Sequence, residues 1–174
     1  LPQEITTHIQ SQFPSHEDMV LKKSLRENKF IAVQMNQYAA VLEELIYAFQ
    51  DERVVNLIKD ICEINDLQPD ENLYAGGLSS MKQSQFLNPH LDSSHDNERN
   101  SWRVLNLLFY VTPNWEDSSG GHLEIWPDGL KQDPIILYSK FNRLVVMATH
   151  GKSWHSVSPV IADASRNCVS NYYF

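Results

Sequence analysis

Gln85-Phe86-Leu87-Asn88-Pro89-His90-Leu91-Asp92 reads as a strand that ends on two side chains of metal-ligand type. Asn88-Pro89 before them and Ser93-Ser94 after them mark a strand edge. On a strand, positions i and i+2 share a face, about 6.5–7 Å apart along it, so this His and Asp can grip one ion. His155 follows 63 residues after Asp92, at the start of another strand-like segment, and supplies a third ligand from a distant part of the chain. Two histidines and one carboxylate on one side of a metal leave its other side open. That arrangement suits non-heme Fe(II) that must also bind a cosubstrate and O2.

Outward from this stretch, short strand-like segments alternate with turn signals from Leu73 to the end of the chain: 74–81, 85–92, 103–112, 122–126, 134–137, 143–148, 155–159 and 167–174. Residues 1–72 read as helical. A short helix over Pro2–Phe13 is broken by Pro14-Ser15-His16. Within Gln37–Phe49, Tyr38, Val41, Leu42, Leu45, Ile46 and Phe49 recur at steps of three and four. Asp51 then stands where an N-cap belongs, ahead of a second apolar stripe from Val54 to Ile64 that includes Leu57 and Ile61. A helical block followed by eight short strands predicts one mainly β domain. Its expected form is a double-stranded β-helix (jelly roll) over about 73–174, with the N-terminal helices of about 1–72 packed on one sheet.

Composition narrows the function classes. A chain of 174 residues, 42% hydrophobic and 21% charged, is an ordinary globular domain with a real core. A net charge of -8 argues against a broad electrostatic grip on nucleic acid. No apolar run is long enough to span a bilayer, so no membrane partner is expected. Leu1-Pro2-Gln3 carries neither an initiator Met nor a signal-peptide pattern, and the numbering is expected to start inside a longer chain. Cys62 and Cys168 do not make a disulfide scaffold. A reducing, cytoplasmic setting is expected, and Fe(II) chemistry fits it.

Arg166 opens the last strand, which is otherwise apolar and aromatic. A buried guanidinium requires an anionic partner, and a carboxylate held bidentately is the natural one. That partner is either a protein Asp or Glu, in a structural salt bridge, or a ligand. Tyr110 lies on the strand expected to neighbour the last one and can donate a second hydrogen bond to the same carboxylate, unless it is an ordinary core tyrosine.

The stretch from about Tyr74 to Phe174 resembles the 2-oxoglutarate and Fe(II)-dependent oxygenases, in particular their prolyl 4-hydroxylase-like branch. The residues that carry the resemblance are His90-x-Asp92, Arg103 through Tyr110-Val111-Thr112-Pro113-x-Trp115, Gly120-Gly121-His122-Leu123-Glu124-Ile125-Trp126-Pro127, Phe141-Asn142-Arg143-Leu144, His155-x-Val157-x-Pro159-Val160 and Arg166 with Tyr172-Tyr173-Phe174. The resemblance implies that His90, Asp92 and His155 ligate Fe(II), and that Arg166, helped by Tyr110, binds the far carboxylate of 2-oxoglutarate. It also implies O2 as cosubstrate, ascorbate as an accessory reductant, and hydroxylation of a C–H bond with release of succinate and CO2. A prolyl residue in a protein or peptide is the expected substrate. A free amino acid or small metabolite, and a non-catalytic cupin-like binding module, are the alternatives. Where many members of this branch carry a Tyr about ten residues before the first His, this chain has Ser80-Met81-Lys82-Gln83-Ser84.

Three other histidines compete for the metal. His95 lies in the polar stretch Ser93–Ser101, which is expected to be either a lid over the site or a plain exposed loop. His122 follows Gly120-Gly121, and His150 sits in a turn five residues before His155. Trp115 is expected to be a packing anchor, and Trp154 to lie in the core or on the rim.

Overall fold

The computed structural model describes residues 1–71, 73, 76–92, 95–96 and 101–174. The helices are α1 (Gln3–Ser11), α2 (Ala40–Ala48) and α3 (Glu52–Cys62). The strands are β1 (Val20–Lys23), β2 (Glu27–Ala32), β3 (Gly77–Met81), β4 (Phe86–His90), β5 (His95–Asp96), β6 (Ser101–Trp102), β7 (Leu105–Tyr110), β8 (Leu123–Trp126), β9 (Ile135–Leu137), β10 (Arg143–Ala148), β11 (Trp154–Val157) and β12 (Arg166–Tyr173). Apart from the small β5–β6 pair, all strands join one antiparallel sheet in the order β10-β7-β12-β3-β2-β4-β11-β8-β9, with β1 added to β2. β2 is the joint: Phe30–Ala32 pair with β3 while Glu27 and Asn28 pair with β4. The sheet therefore curls, and its two halves face one another across a cavity. This is the expected jelly roll with helices on one face.

Strand alternation decides which side chains meet that cavity. On β7, Leu105, Leu107 and Phe109 turn outward into a core shared with Leu42, Ile46 and Phe49 of the helical layer. Asn106 and Leu108 turn inward and line the cavity. On β12, Val169 and Tyr173 join the outer core, and Arg166, Ser170 and Tyr172 line the cavity. Polar seams tie the helices to the same strand: Asn171 donates to the Ile46 carbonyl at 3.1 Å, and the Tyr173 hydroxyl donates to the carbonyl of Phe49. Asp51 caps α3 by accepting from the Arg53 N–H at 2.9 Å.

The segment 1–72 differs from its helical reading in one respect that matters for the site: it contains the β1–β2 hairpin. Residues 20–23 are all exposed, so they show no apolar alternation. Strand identity there comes from pairing with the sheet. In α3 the apolar stripe is too wide, because Val55 and Ile58 are buried while Leu57 and Ile61 are exposed. β4 stops at His90, two residues short of the expected end. The start of the 74–81 strand lies outside the described residues, as does most of the Ser93–Ser101 loop. Within that loop β5 pairs with β6. Trp115 is buried and donates its indole N–H to the Gly120 carbonyl at 2.9 Å, as a packing anchor should.

Candidate active site

His90 and His155 face each other across β4 and β11. They are register partners, and their ring centroids are 4.2 Å apart. The ladder then slips, since Val157 pairs with Leu87. Asn88 and Pro89 on β4 thus stand opposite Ser156 alone. An extra residue bends a strand and re-aims the side chain beside it, and Pro, which has no N–H to give the ladder, is suited to such a bulge. The local sequence Asn88-Pro89 therefore helps to turn His90 towards its partner.

Each imidazole is held through its inner nitrogen. His90 Nδ1 donates to the Asn88 carbonyl at 2.9 Å, and His155 Nδ1 donates to the Ser153 carbonyl at 3.0 Å. A carbonyl only accepts, so both Nδ1 atoms carry a proton and both Nε2 atoms face the cavity. Asp92, just past the end of β4, turns back between them. Its Oδ1 lies 3.5 Å from His90 Nε2, and its Oδ2 lies 3.7 Å from His155 Nε2. The three donor atoms all fall within 4.8 Å of one another. Burial pushes the Asp92 carboxyl up, but its contact with His90 and the charges of His155 and Arg103 outweigh burial and hold it below the usual carboxylate range. Burial pushes His155 down against the pull of Asp92, which favours the neutral, ligating ring.

Opposite this cluster, Arg166 is 3% exposed. Its Nη1 donates to the Met81 sulfur at 3.5 Å, and its guanidinium lies 5.1 Å from the Tyr110 ring centre. Among the described residues no Asp or Glu pairs with it. The salt-bridge alternative therefore finds no partner there. Arg166 Nε and Tyr110 Oη are both buried without a hydrogen-bond partner. Burial pushes the Tyr110 phenol up to about 12, against the nearby charge of Arg166, so it stays protonated and able to donate. β7 and β12 place the two side by side, with Tyr110 paired to Cys168 two residues along from Arg166.

Residues 76–174 match the 2OG-Fe(II) oxygenase superfamily. The chain belongs to this superfamily. Among solved structures, this oxygenase is similar to a prolyl-4-hydroxylase from Pseudomonas putida, at 17% identity and a TM-score of 0.72 over 99% of this chain and 87% of that one. It is also similar to a prolyl hydroxylase from Trichoplax adhaerens in complex with a hypoxia inducible factor peptide fragment, at 16% identity and a TM-score of 0.63 over 99% and 75% of the two chains. HygX from Streptomyces hygroscopicus, with nickel and 2-oxoglutarate bound, matches at 12% identity and a TM-score of 0.63 over 99% and 79%. Among curated proteins no sequence matches. The oxygenase uses Fe(II), 2-oxoglutarate and O2, and its residues fit them: Asp92 Oδ2, Asn106 Oδ1 and Arg166 Nε are buried without a hydrogen-bond partner in residues that line one cavity, and Tyr110 Oη, beside Arg166, is buried in the same condition. Orphaned buried polar atoms are costly in a finished core, and a metal and a dicarboxylate would satisfy them.

The competing histidines have other roles or positions. His122 is fixed within the fold, with Nε2 donating to the Asp117 carbonyl at 3.0 Å and Nδ1 accepting from the Ser139 N–H at 3.2 Å. His150 is exposed in its turn. His95 packs against Trp102, with ring centroids 4.7 Å apart and planes tilted by 59°. Of the Ser80–Ser84 stretch, only Met81 joins Ser79 in lining the cavity.

Two residues of the site carried no assigned role in the sequence reading. Arg103 is buried, stacks on Tyr172 at 3.8 Å, and places Nη1 3.6 Å from Asp92 Oδ2. Arg103, like Arg166, is a cation at the edge of an apolar strand, and that feature marks it in the sequence. Asn106 is a polar residue at an inward position of an otherwise apolar strand, and strand parity alone could have flagged it.

Proposed function

We propose that the chain is a 2-oxoglutarate- and Fe(II)-dependent hydroxylase acting on a prolyl residue in a protein or peptide. Arg166 carries this reading: a buried guanidinium with no carboxylate partner among the described residues, facing a three-ligand metal cluster across one cavity of about 280 Å³. The similarity to prolyl hydroxylases, one of them in complex with a peptide, supports the choice of substrate.

In this reading His90, Asp92 and His155 hold the iron through Nε2, a carboxylate oxygen and Nε2. The backbone acceptors Asn88 and Ser153 fix the two ring tautomers, so the ligand set is preorganised. Arg166 and the protonated Tyr110 bind the far carboxylate of 2-oxoglutarate and aim its other end at the metal. When bound, the iron and the oxo acid supply O2 activation, yielding succinate and CO2 and inserting one oxygen atom into a C–H bond. The chain contributes position, a dry polar cradle and a fixed charge pattern. Ascorbate belongs to this proposal as an external reductant.

The test is succinate formation with Fe(II), 2-oxoglutarate and O2, with and without prolyl peptides. Peptide-stimulated turnover is expected, and absence of 2-oxoglutarate binding in the wild type would overturn the reading. His155→Ala is expected to lose Mn(II) binding while His150→Ala keeps it. The reverse result would move the ligand to His150.

A further inference from the structure

The β1–β2 hairpin concentrates positive charge in an acidic chain. Residues 22–29 hold Lys22, Lys23, Arg26 and Lys29 against Glu27 alone, in a protein of net charge -8. Lys22 and Lys29 line the same cavity as His90, Asp92 and His155. They are cross-strand partners, a placement in which like charges destabilise a hairpin. Glu27, which also lines the cavity, pairs with Lys29 at 3.0 Å. Among the described residues neither Lys22 nor Arg26 has an ion pair.

The hairpin is fastened beside the metal ligands. The Asn88 N–H donates to the Arg26 carbonyl at 2.8 Å, and its side-chain amide donates to the Leu25 carbonyl at 2.7 Å. The turn is thus pinned to the strand that ends on His90. Register sets the other end. Phe30 pairs with Ser80, and Met81 pairs with Arg166. Lys29 therefore stands level with Met81 and two strands from Arg166, about 10 Å at ~4.8 Å per strand. A row of cations runs from buried Arg166, through half-buried Lys29, to exposed Lys22 at the cavity mouth. Arg166 is committed to the cosubstrate and Lys29 is paired with Glu27, which leaves Lys22 and Arg26 without an ion pair among the described residues.

We infer that the substrate is an acidic peptide, with Asp or Glu beside the residue that is oxidised and their carboxylates seated on Lys22, Lys29 and Arg26. The inference rests on the peptide-hydroxylase reading above and narrows it. Exposed charge pairs are individually weak and screened by salt, so the signature is a salt-dependent preference.

The experiment measures binding of labelled prolyl peptides to the protein loaded with Mn(II) and 2-oxoglutarate, by fluorescence anisotropy at low and high NaCl, alongside succinate formation with the Fe(II) enzyme. Paired peptides differ only in Asp and Glu versus Asn and Gln. The acidic peptide is expected to bind about tenfold more tightly at low salt. The gap should close at high salt and invert in Lys22→Glu/Arg26→Glu, with basic peptides now preferred. The melting temperature of the variant reports its fold. Equal binding of the acidic and neutral peptides at low salt, or an unchanged preference in the charge-swapped variant, overturns the inference. If the acidic peptide binds with this salt and charge dependence but no peptide stimulates succinate formation, the anionic site stands and the prolyl-hydroxylase reading falls.

Discussion

Replacing Tyr110 by Phe distinguishes a ligand-binding hydroxyl from a structural one by the sign of two effects. Tyr110 is 1% exposed, and its Oη has no hydrogen-bond partner. In the protein without ligand the hydroxyl is desolvated and unrewarded, a penalty of about 1–3 kcal/mol for a fully dry group. The nearby Ser139 and Arg166 side chains offset part of this, so the low end applies. Tyr110→Phe should therefore raise the unfolding free energy of the ligand-free protein by about 1 kcal/mol. An ordinary buried Tyr→Phe change that removes a satisfied hydrogen bond lowers stability by a similar amount. With 2-oxoglutarate bound the balance reverses. A hydrogen bond to a charged carboxylate is worth about 1.5–3 kcal/mol, which corresponds to roughly 10- to 100-fold in affinity. Burial pushes the phenol up to about 12, so the donor persists across the whole neutral range.

Two measurements decide the matter: urea unfolding of the ligand-free protein, and calorimetric titration of 2-oxoglutarate into the Mn(II) form. The expected pair is a higher midpoint with unchanged slope and weakened cosubstrate binding. A Phe variant that is less stable and binds 2-oxoglutarate as tightly as wild type would show that Tyr110 is a core tyrosine, and would leave Arg166 as the only anchor.

Three further outcomes follow from the same geometry. A Cβ at Gly121 would sit 2.9 Å from Arg166 Cδ and 2.9 Å from Val160, at φ +64; Gly121→Ala should therefore destabilise by about 1–3 kcal/mol and weaken 2-oxoglutarate binding, read by melting and calorimetry. Burial holds the His155 pKa below 6.5 in the folded state, so the unfolded chain binds the extra proton first and the stability that His155 contributes, full above pH 6.5, is lost as pH falls below it. Melting temperatures of ligand-free wild type and His155→Gln should therefore diverge between pH 7.5 and 5.5, with wild type falling more steeply; parallel curves would refute this. Asp51→Ala removes the N-cap of α3, whose Oδ1 accepts from the Arg53 N–H, and should cost about 1 kcal/mol in urea unfolding.

The parts of this fold that were legible in the sequence are those with one face against the helical layer. β7 and β12 alternate because Leu105, Leu107, Phe109, Val169 and Tyr173 pack outward while functional polar residues turn inward. The candidate metal cluster was legible because His, Asp and His have few reasons to stand together at strand ends. The hairpin β1–β2 was not, since its first strand is exposed throughout and its pairing comes from residues far along the chain. Nor was the return of Asp92. A period-two argument needs a strand that continues to residue 92, but β4 ends at His90, and the carboxylate reaches the imidazoles from beyond the ladder. His90, Asp92 and His155 do come together, but Asp92 does so by a route other than strand parity.

Arg103 shows why the illegible part carries so much of the electrostatics. Without an ion, Asp92 is a largely buried carboxylate between His90 and His155, and a buried charge of that kind is unstable unless something offsets it. Arg103 Nη1, 3.6 Å from Oδ2, is that offset, and stacking on Tyr172 fixes its direction. Once a divalent cation binds, the same guanidinium opposes it by Coulomb repulsion, while holding the carboxylate in the pose the cation needs. A site built this way gives up some metal affinity for a ligand set that stays ionised and in place when empty. Arg103 therefore belongs to the candidate metal centre through its contact with Asp92.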